Sequence, residues 1–468
     1  MSAALLRLLP IGPHVWERLG QAMYQAGWLH CAKASFEQAL RGSAHKANVL
    51  ACLSGVQCDL RQYQFAEANC RRALELQPRS AVALNNLGNS LKLQERFSEA
   101  RECYQRAVEL EPRLLAALLN LGKLAEDLGL PHEAEPWYRR ALQIEPHSAE
   151  ANFDLAVFLL KAGDWARGWQ SFESRFHRSA RSMLAGQPPC QGMRRWQPGQ
   201  ALAGKRILVR AEQGLGDMIQ FVRFVPLLHR MGARVFLSVH RPLMSLLGTV
   251  DGLEQLCVLG REASLPQMDY WIPALSLGGS LGIDEKSIPA DVPYLCVDPR
   301  LKRKWADRLQ RHGAARRIGI AWCGNPVHKN DRYRSMSTEA LVTLARAIAR
   351  VDAVFFGLGT APLPEMARRS VLPLGPQRDF AELAALVENL DLVITVDSAF
   401  AHLAGALARP VWVMLPLNSD WRWLRDRSDS PWYPTMRLFR QRRLGDWSEV
   451  IEQVACEVND FAAASKAA

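Results

Sequence analysis

The ten cysteines include no Cys-x-x-Cys pair. Several fall at apolar positions of periodic segments, where a free thiol behaves as a small hydrophobe. A disulfide framework and a structural zinc site are therefore not expected, and a reducing compartment is. No apolar run reaches the length that spans a bilayer. The opening residues, MSAALLRLLPIGP, hold only a short apolar run broken by Pro10 and Pro13, too little for a secretory signal. The expectation is a cytoplasmic protein, with peripheral contact with the inner membrane left open. Acidic residues are outnumbered, 47 against 58 basic ones, for a formal charge of +11. That balance suits an anionic partner such as phosphate; no nucleic-acid partner is expected. With 49% hydrophobic and 22% charged residues the chain has the composition of a folded protein. Its 468 residues exceed one core, so two or three domains are expected.

A repeat fills the first third. Pro78, Pro112 and Pro146 stand 34 residues apart and close the phrases RRALELQP, QRAVELEP and RRALQIEP. Counting back from each, Ala66, Ala100 and Ala134 share one position, and Ala73, Ala107 and Ala141 another. Tyr104 matches Tyr138, and Leu87-Gly88 matches Leu121-Gly122. An earlier unit fits through Trp16, Leu19-Gly20, Gly27, Ala32, Phe36 and Ala39, and a degraded one through Leu155, Gly163 and Phe172. This pattern resembles the tetratricopeptide repeat, in about five helical pairs stacked as an α solenoid. Asn86 and Asn120 occupy equivalent positions and Asp154 follows them, similar to the asparagine ladder by which repeat-bearing O-GlcNAc transferases hold an extended peptide. An amide offers both donor and acceptor; the plainer reading is a polar residue on a solvated helix face. The repeat groove would take a protein or glycan acceptor.

Residues 179–204 lose the repeat and gain Pro, Gly and Gln, which reads as a linker. Strand and helix patterns then alternate: KRILVRA, a turn, DMIQFVRFVPLLHRMG, RVFLSV and onward, restarting at RRIGIAW after the helical PRLKRKWADRLQRHG. The grammar predicts two doubly wound, Rossmann-like α/β lobes with a cleft at the carboxyl ends of their sheets. The expected division is a solenoid over 1–178, a linker over 179–204, and lobes over 205–312 and 313–468.

Four motifs carry candidate chemistry. In AEQGLGDMIQF, Gln213, Gly214 and Gly216 form a turn that lets a substrate approach the backbone, and Asp217 sits in the first turn of the following helix. A third glycine and a Gly-Lys-Ser/Thr are missing, so neither a dinucleotide fingerprint nor a P-loop is supported. Asp217 could equally be an acid favoured by the helix dipole. In AWCGNPVHKNDRYRS a strand ends in a loop carrying His328, Lys329, Arg332 and Arg334, cations suited to a diphosphate. In ITVDSAFAHLAGA, Asp397 and Ser398 precede a helix whose amides can hold phosphate, with His402 in its first turn. His402 is as well explained as a packed histidine, and no metal-ligand spacing surrounds it. In the stretch from Pro416 to Gln441, Trp421, Trp423, Trp432 and Tyr433 interleave with Arg422, Arg425 and Arg427. They suit a sugar or nucleobase, or equally a lobe closing on its own core.

On QGLGD, the basic loop, TVDSAFAHLA and DWRWLRDRSDSPWYPTMRLFRQ, the chain from Lys205 to about Val454 is similar to the heptosyltransferase-related glycosyltransferases of GT-B fold. Ala399 stands where the heptosyltransferases often carry glycine. The resemblance implies a nucleotide-sugar as substrate, no cofactor and no metal, with the acceptor on the first lobe and the nucleotide-sugar on the second. It makes Asp217 the catalytic base, with Gln213, Gly214 and Gly216 beside the acceptor. Lys329, Arg332, Asp397, Ser398 and His402 would line the donor site. A pseudoenzyme that only binds a nucleotide-sugar, a repeat scaffold without a small ligand, and an epimerase of the same fold remain alternatives.

Overall fold

The computed structural model describes residues 12–178, 192–313, 315–328, 330–359 and 361–464. They fall into two compact units. One holds residues 12–158 and 171–178, the other 159–170 and everything described from Gly192 onward.

The first unit is helical. Its helices pair as α1 (Pro13–Gln25) with α2 (Leu29–Leu40), α3 (Lys46–Asp59) with α4 (Tyr63–Leu76), α5 (Ala81–Lys92) with α6 (Phe97–Leu110), and α7 (Leu115–Asp127) with α8 (Pro131–Ile144). Helix α9 (Ala149–Lys161) begins in this unit, and α10 (Trp165–Phe172) follows it. The recurring residues explain the pairing. Ala66, Ala100 and Ala134, with Ala73, Ala107 and Ala141, are fully buried where helices cross. The glycines of the Leu-Gly phrase make room for the aromatic of the partner helix. A Cβ on Gly88 would lie 2.5 Å from the Tyr104 ring, and one on Gly122 2.5 Å from the Tyr138 ring. Tyr138 cannot retreat, because it is buried and its hydroxyl donates to Glu126 at 2.8 Å. Gly122→Val should therefore cost at least about 2 kcal/mol by overpacking, read as a lower midpoint in chemical denaturation. An unchanged midpoint would show that the ring has somewhere to go.

The second unit contains two wholly parallel sheets. The first has the order β1 (Arg194–Arg195), β5 (Tyr270–Pro273), β2 (Arg206–Arg210), β3 (Arg234–Val239), β4 (Leu253–Val258). Between its strands run α11 (Leu215–Phe221), α12 (Val225–Arg230) and α13 (Met244–Leu247), and α14 (Ser276–Ser280) follows. After α15 (Pro299–Gln310) comes the second sheet. Its order is β11 (Met436–Arg440), β10 (Val411–Leu415), β9 (Leu392–Val396), β6 (Arg316–Ala321), β7 (Ala353–Gly357), β8 (Val371–Pro373). Its helices are α16 (Asp331–Arg334), α17 (Thr338–Ala347), α18 (Phe380–Val387), α19 (Ala399–Ala406) and α20 (Ser448–Ala463). The order of the second sheet is the Rossmann order, reversing between β6 and β9. The first reverses between β2 and β5. These are the two Rossmann-like lobes that the sequence pattern predicts. Strands such as LVITV and VWVML are buried throughout, as strands covered on both faces must be.

The domain limits differ from the expected ones at both ends of the junction. Residues 159–170 belong to the α/β unit rather than to a solenoid ending at 178. The reason is two tryptophans. Trp165 meets the Trp432 ring at 5.5 Å, and Trp169 meets Trp421 at 5.3 Å. The Trp169 indole donates to the Ile283 carbonyl at 2.8 Å and lies so close to Gly278 that a Cβ there would be 2.5 Å away. The far end of the expected linker is not a linker either. Arg194–Arg195 extends the first sheet beside β5, and Trp196 donates to the Trp271 carbonyl at 2.9 Å. Residues 179–191 lie outside the described residues.

Candidate active site

Strand order decides where the motifs meet. At the reversal of the second sheet Ala321 pairs with Thr395, so the loop after β6 and the Asp397-Ser398 pair leave the sheet side by side. Ser398 caps α19, its hydroxyl accepting from the Phe400 amide at 3.3 Å and lying 2.9 Å from the Thr395 hydroxyl. In the first lobe β2 delivers the turn that starts α11. The Ala211 amide donates to the Ser238 carbonyl at 2.8 Å, and Glu212, buried, accepts from the Leu275 amide at 2.9 Å across the reversal.

The turn works differently from the expectation. Its left-handed residue is Gln213, at φ 59°, while Gly214 is extended at φ −88°, ψ 171°. Gly216 allows a close approach between two segments of the protein. A Cβ there would be 2.7 Å from His402 Cδ2 and 3.3 Å from the Ala399 Cα, so α11 and α19 touch through this glycine. Both lobes therefore meet at the helix starts that carry Asp217 and Ser398.

Asp217 does cap its helix: one carboxylate oxygen accepts from the Gly214 amide at 2.7 Å. The other oxygen pairs with Arg422 of the second lobe. The Arg422 guanidinium is buried, and each of its three nitrogens is engaged. It donates from Nε to Gln220 at 2.6 Å, from one terminal nitrogen to Asp420 at 2.8 Å, and from the other to Asp217. Burial works to raise the Asp420 carboxyl, but the adjoining guanidinium prevails and holds it below the usual carboxylate range. Asp397 goes the other way. Burial first, then the neighbouring Asp420 charge, push it up to about 6.

His402 is a packed histidine. It is 5% exposed, stacks on Trp423 at 5.2 Å and 21°, and shares a 3.0 Å hydrogen bond with the Tyr433 hydroxyl. Burial, then the Arg422 charge, depress it to about 3, so it is neutral and brings no cation to a diphosphate. It packs between α19 and the segment from Trp421 to Tyr433. That segment is itself core: Trp421, Trp423, Trp432 and Tyr433 are all buried.

Of the basic loop, Lys329 lies outside the described residues. Arg332 is exposed and lies over the Tyr333 ring at 5.0 Å. Arg334 is half-buried and donates to Asp331 at 3.2 Å. His328 accepts from the Asn330 amide at 3.2 Å; burial, then Arg334, lower its pKa against the opposing pull of Asp420 and Asp217.

Sequence reasoning did not single out Asp420, Gln220 or His240, and placed Arg422 only within an aromatic stretch. His240 directly follows β3 at the carboxyl end of the first sheet. Its Nδ1 is enclosed without a hydrogen-bond partner, and burial lowers its pKa while the Asp217 charge opposes. The rule that ligands gather beyond strand carboxyl ends would have marked it.

The histidines set a pH dependence. An unfolded His402 takes a proton as pH falls through 6.5, whereas the folded ring waits until about 3. Stability is complete above 6.5 and is lost as pH falls across that window; His240 and His328, also depressed, add to the loss. Asp397, raised from 3.8 to about 6, gains stability between those values and offsets part of it. Three groups against one give a lower melting temperature at about pH 5 than at about pH 7.5. Calorimetry at the two pH values checks this, and equal temperatures would contradict the burial of these rings.

The repeat residues are tied within the array. The Asn86 amide donates to the Ala51 carbonyl at 2.8 Å, and the Asn120 amide to Asn85 and Asn89 at 2.9 Å each. Asp154 pairs with Lys123 at 2.7 Å. These contacts staple one repeat to the next. Among the described residues no group of three or more His, Cys, Asp or Glu side chains is placed to hold a metal ion, and no helix is long and apolar enough to cross a membrane.

A tetratricopeptide repeat model matches residues 45–112 and 81–147. A model of glycosyltransferase family 9 (heptosyltransferase) matches residues 362–414, from the segment before β8 to β10. Protein FlbA of Caulobacter vibrioides is 28% identical over 342 residues, covering 67% of this chain and 56% of that protein. The chain thus spans little more than half the length of this curated relative. A glycosyl transferase family 9 structure from Veillonella parvula is 14% identical, with a TM-score of 0.41 over 55% of this chain and 90% of that one. A thermophilic repeat protein of Thermus thermophilus is 21% identical, with a TM-score of 0.34 over 36% of this chain and 93% of that one. The helical unit is thus similar to tetratricopeptide repeats, and part of the second Rossmann-like lobe is similar to glycosyltransferase family 9 (heptosyltransferase).

Proposed function

We propose that the α/β unit moves a glycosyl group from a nucleotide-activated sugar to an acceptor hydroxyl, with inversion and without a metal. The observation that carries this reading is the meeting of two helix starts: Asp217 on α11 and the Ser398-capped end of α19, packed together through Gly216. The diphosphate of the donor would sit at the amino end of α19, where backbone amides and the dipole favour negative charge. Arg332 and Lys329 of the neighbouring loop would add positive charge. The acceptor oxygen attacks the anomeric carbon, a new glycosidic bond forms, the bond to phosphate breaks, and the acceptor proton passes to Asp217. The nucleoside diphosphate leaves with the bonding electron pair, and the fixed amides and cations stabilise its charge. Arg422 positions the base by holding one oxygen of its carboxylate. The repeats would dock a protein or glycan acceptor, and the site would work in the cytoplasm.

One observation favours a second reading. Both oxygens of Asp217 already accept from donors, Gly214 and Arg422, so neither can take a proton without giving up a hydrogen bond. On that reading the lobes bind a nucleotide-sugar and transfer nothing. Melting the protein with a panel of UDP-, ADP- and GDP-sugars tests both. A donor at about a hundredfold its dissociation constant adds about 2.7 kcal/mol of stability, a rise of several degrees. If no nucleotide-sugar moves the melting temperature, both readings are lost. A shift without nucleoside diphosphate release would leave the binding protein alone.

A further inference from the structure

The connecting helix α15 presents a basic stripe that the site does not use. From Pro299 to Arg311 the chain carries six cations, Arg300, Lys302, Arg303, Lys304, Arg308 and Arg311, against one acid, Asp307. This short segment holds +5 of the chain's formal +11. Arg300, Arg303, Lys304, Asp307, Arg308 and Arg311 recur at helical spacing and line one open depression along a single face. At 1.5 Å per residue the row is about 16 Å long.

Two of these cations are fastened to the body of the lobe. Lys304 reaches Glu382 at 2.9 Å, and Arg308 donates to the Leu374 carbonyl and covers the Trp305 ring at 4.7 Å. Lys302, off the stripe, pairs with Glu388 at 2.7 Å. The side chains of Arg300, Arg303 and Arg311 are exposed and engage no described residue. Like charges one turn apart repel, as the exposed Arg300 and Arg303 do, which weakens the helix that carries them. An external anion removes that penalty. Guanidinium groups meet phosphate oxygens in pairs, which suits them to phosphate better than to a diffuse acidic field.

We propose that this face of α15 docks the protein on a membrane surface bearing anionic phospholipids. The depression it lines is open to solvent rather than enclosed, which suits headgroups at a surface better than one buried ligand. Its one large aromatic, Trp305, is buried, which leaves no ring to stack on nucleobases. Neither is there an exposed large apolar residue on the stripe to anchor a protein partner. Attachment is electrostatic, peripheral and reversible by salt.

The test is sedimentation of the full chain with phosphatidylcholine vesicles, with and without about a third phosphatidylserine, at about 0.1 M salt. Binding to the anionic vesicles only, lost at about 0.5 M salt, is expected. The triple variant Arg300→Glu, Arg303→Glu, Arg311→Glu should bind more than about a hundredfold more weakly. Its Arg→Gln counterpart should fall between, and both should keep the wild-type far-ultraviolet dichroism. Equal binding to neutral vesicles, no binding to anionic ones, or undiminished binding by a folded triple variant would overturn the proposal. Binding to soluble inorganic polyphosphate with none to vesicles would overturn it in favour of a soluble phosphate ligand.

Discussion

A chain that begins at Ala203 should be recovered insoluble or molten, whereas one that begins at Ala149 should keep a folded α/β unit. The first lacks Trp165 and Trp169, whose rings close over Trp421 and Trp432. It also lacks the indole that bonds the Ile283 carbonyl and fills the space at Gly278. Strand β1 is gone too, leaving the edge of β5 bare. Removing one large buried aromatic costs about 3–5 kcal/mol. Two take away most of the about 5–15 kcal/mol that holds a domain together, and the lost edge strand removes more. Starting at Ala149 keeps all three features. Near-ultraviolet dichroism and a cooperative melt separate the cases. A sharp melt from the shorter chain would mean that the tryptophans cover the lobe without supporting it.

Period and strand grammar made most of this fold legible. The 34-residue spacing of Pro78, Pro112 and Pro146 marks the repeats, and the alternation of LVITV, AFAHLAGA and VWVML marks a parallel sheet. The junction was not legible. Trp165 and Trp169 sit where a repeat's second helix would begin, so periodicity counts them with the solenoid although their rings pack elsewhere. The site was half legible. Asp217 and Ser398 follow strands at reversals of strand order, a position sequence can suggest. Arg422 could not be assigned, because its partners Gln220 and Asp217 lie some two hundred residues away and only the fold brings them together. That His402 packs on Trp423 and Tyr433 follows from the fold alone.

The second large effect is kinetic. Asp217→Asn should slow sugar transfer by about a hundredfold or more, the usual scale for a general base. The substitution keeps the shape of the side chain and an oxygen for the Gly214 amide, so the helix start survives. Arg422 keeps Asp420 and Gln220 as partners, so its buried charge stays compensated. The stability loss should therefore be small beside the rate loss. His240→Gln provides the contrast: its Nδ1 is enclosed without a partner and its pKa is lowered by burial against the pull of Asp217, and if the proton goes there instead, this variant, not Asp217→Asn, will carry the defect.

The decisive measurement takes the nucleotide-sugar that raises the melting temperature and follows nucleoside diphosphate release with acceptor present, in the wild type and in Asp217→Asn. A glycosyltransferase with Asp217 as its base gives the same donor-induced rise in both proteins and a release rate lower by about a hundredfold or more in the variant. Equal release rates in two proteins of equal donor affinity would contradict that mechanism.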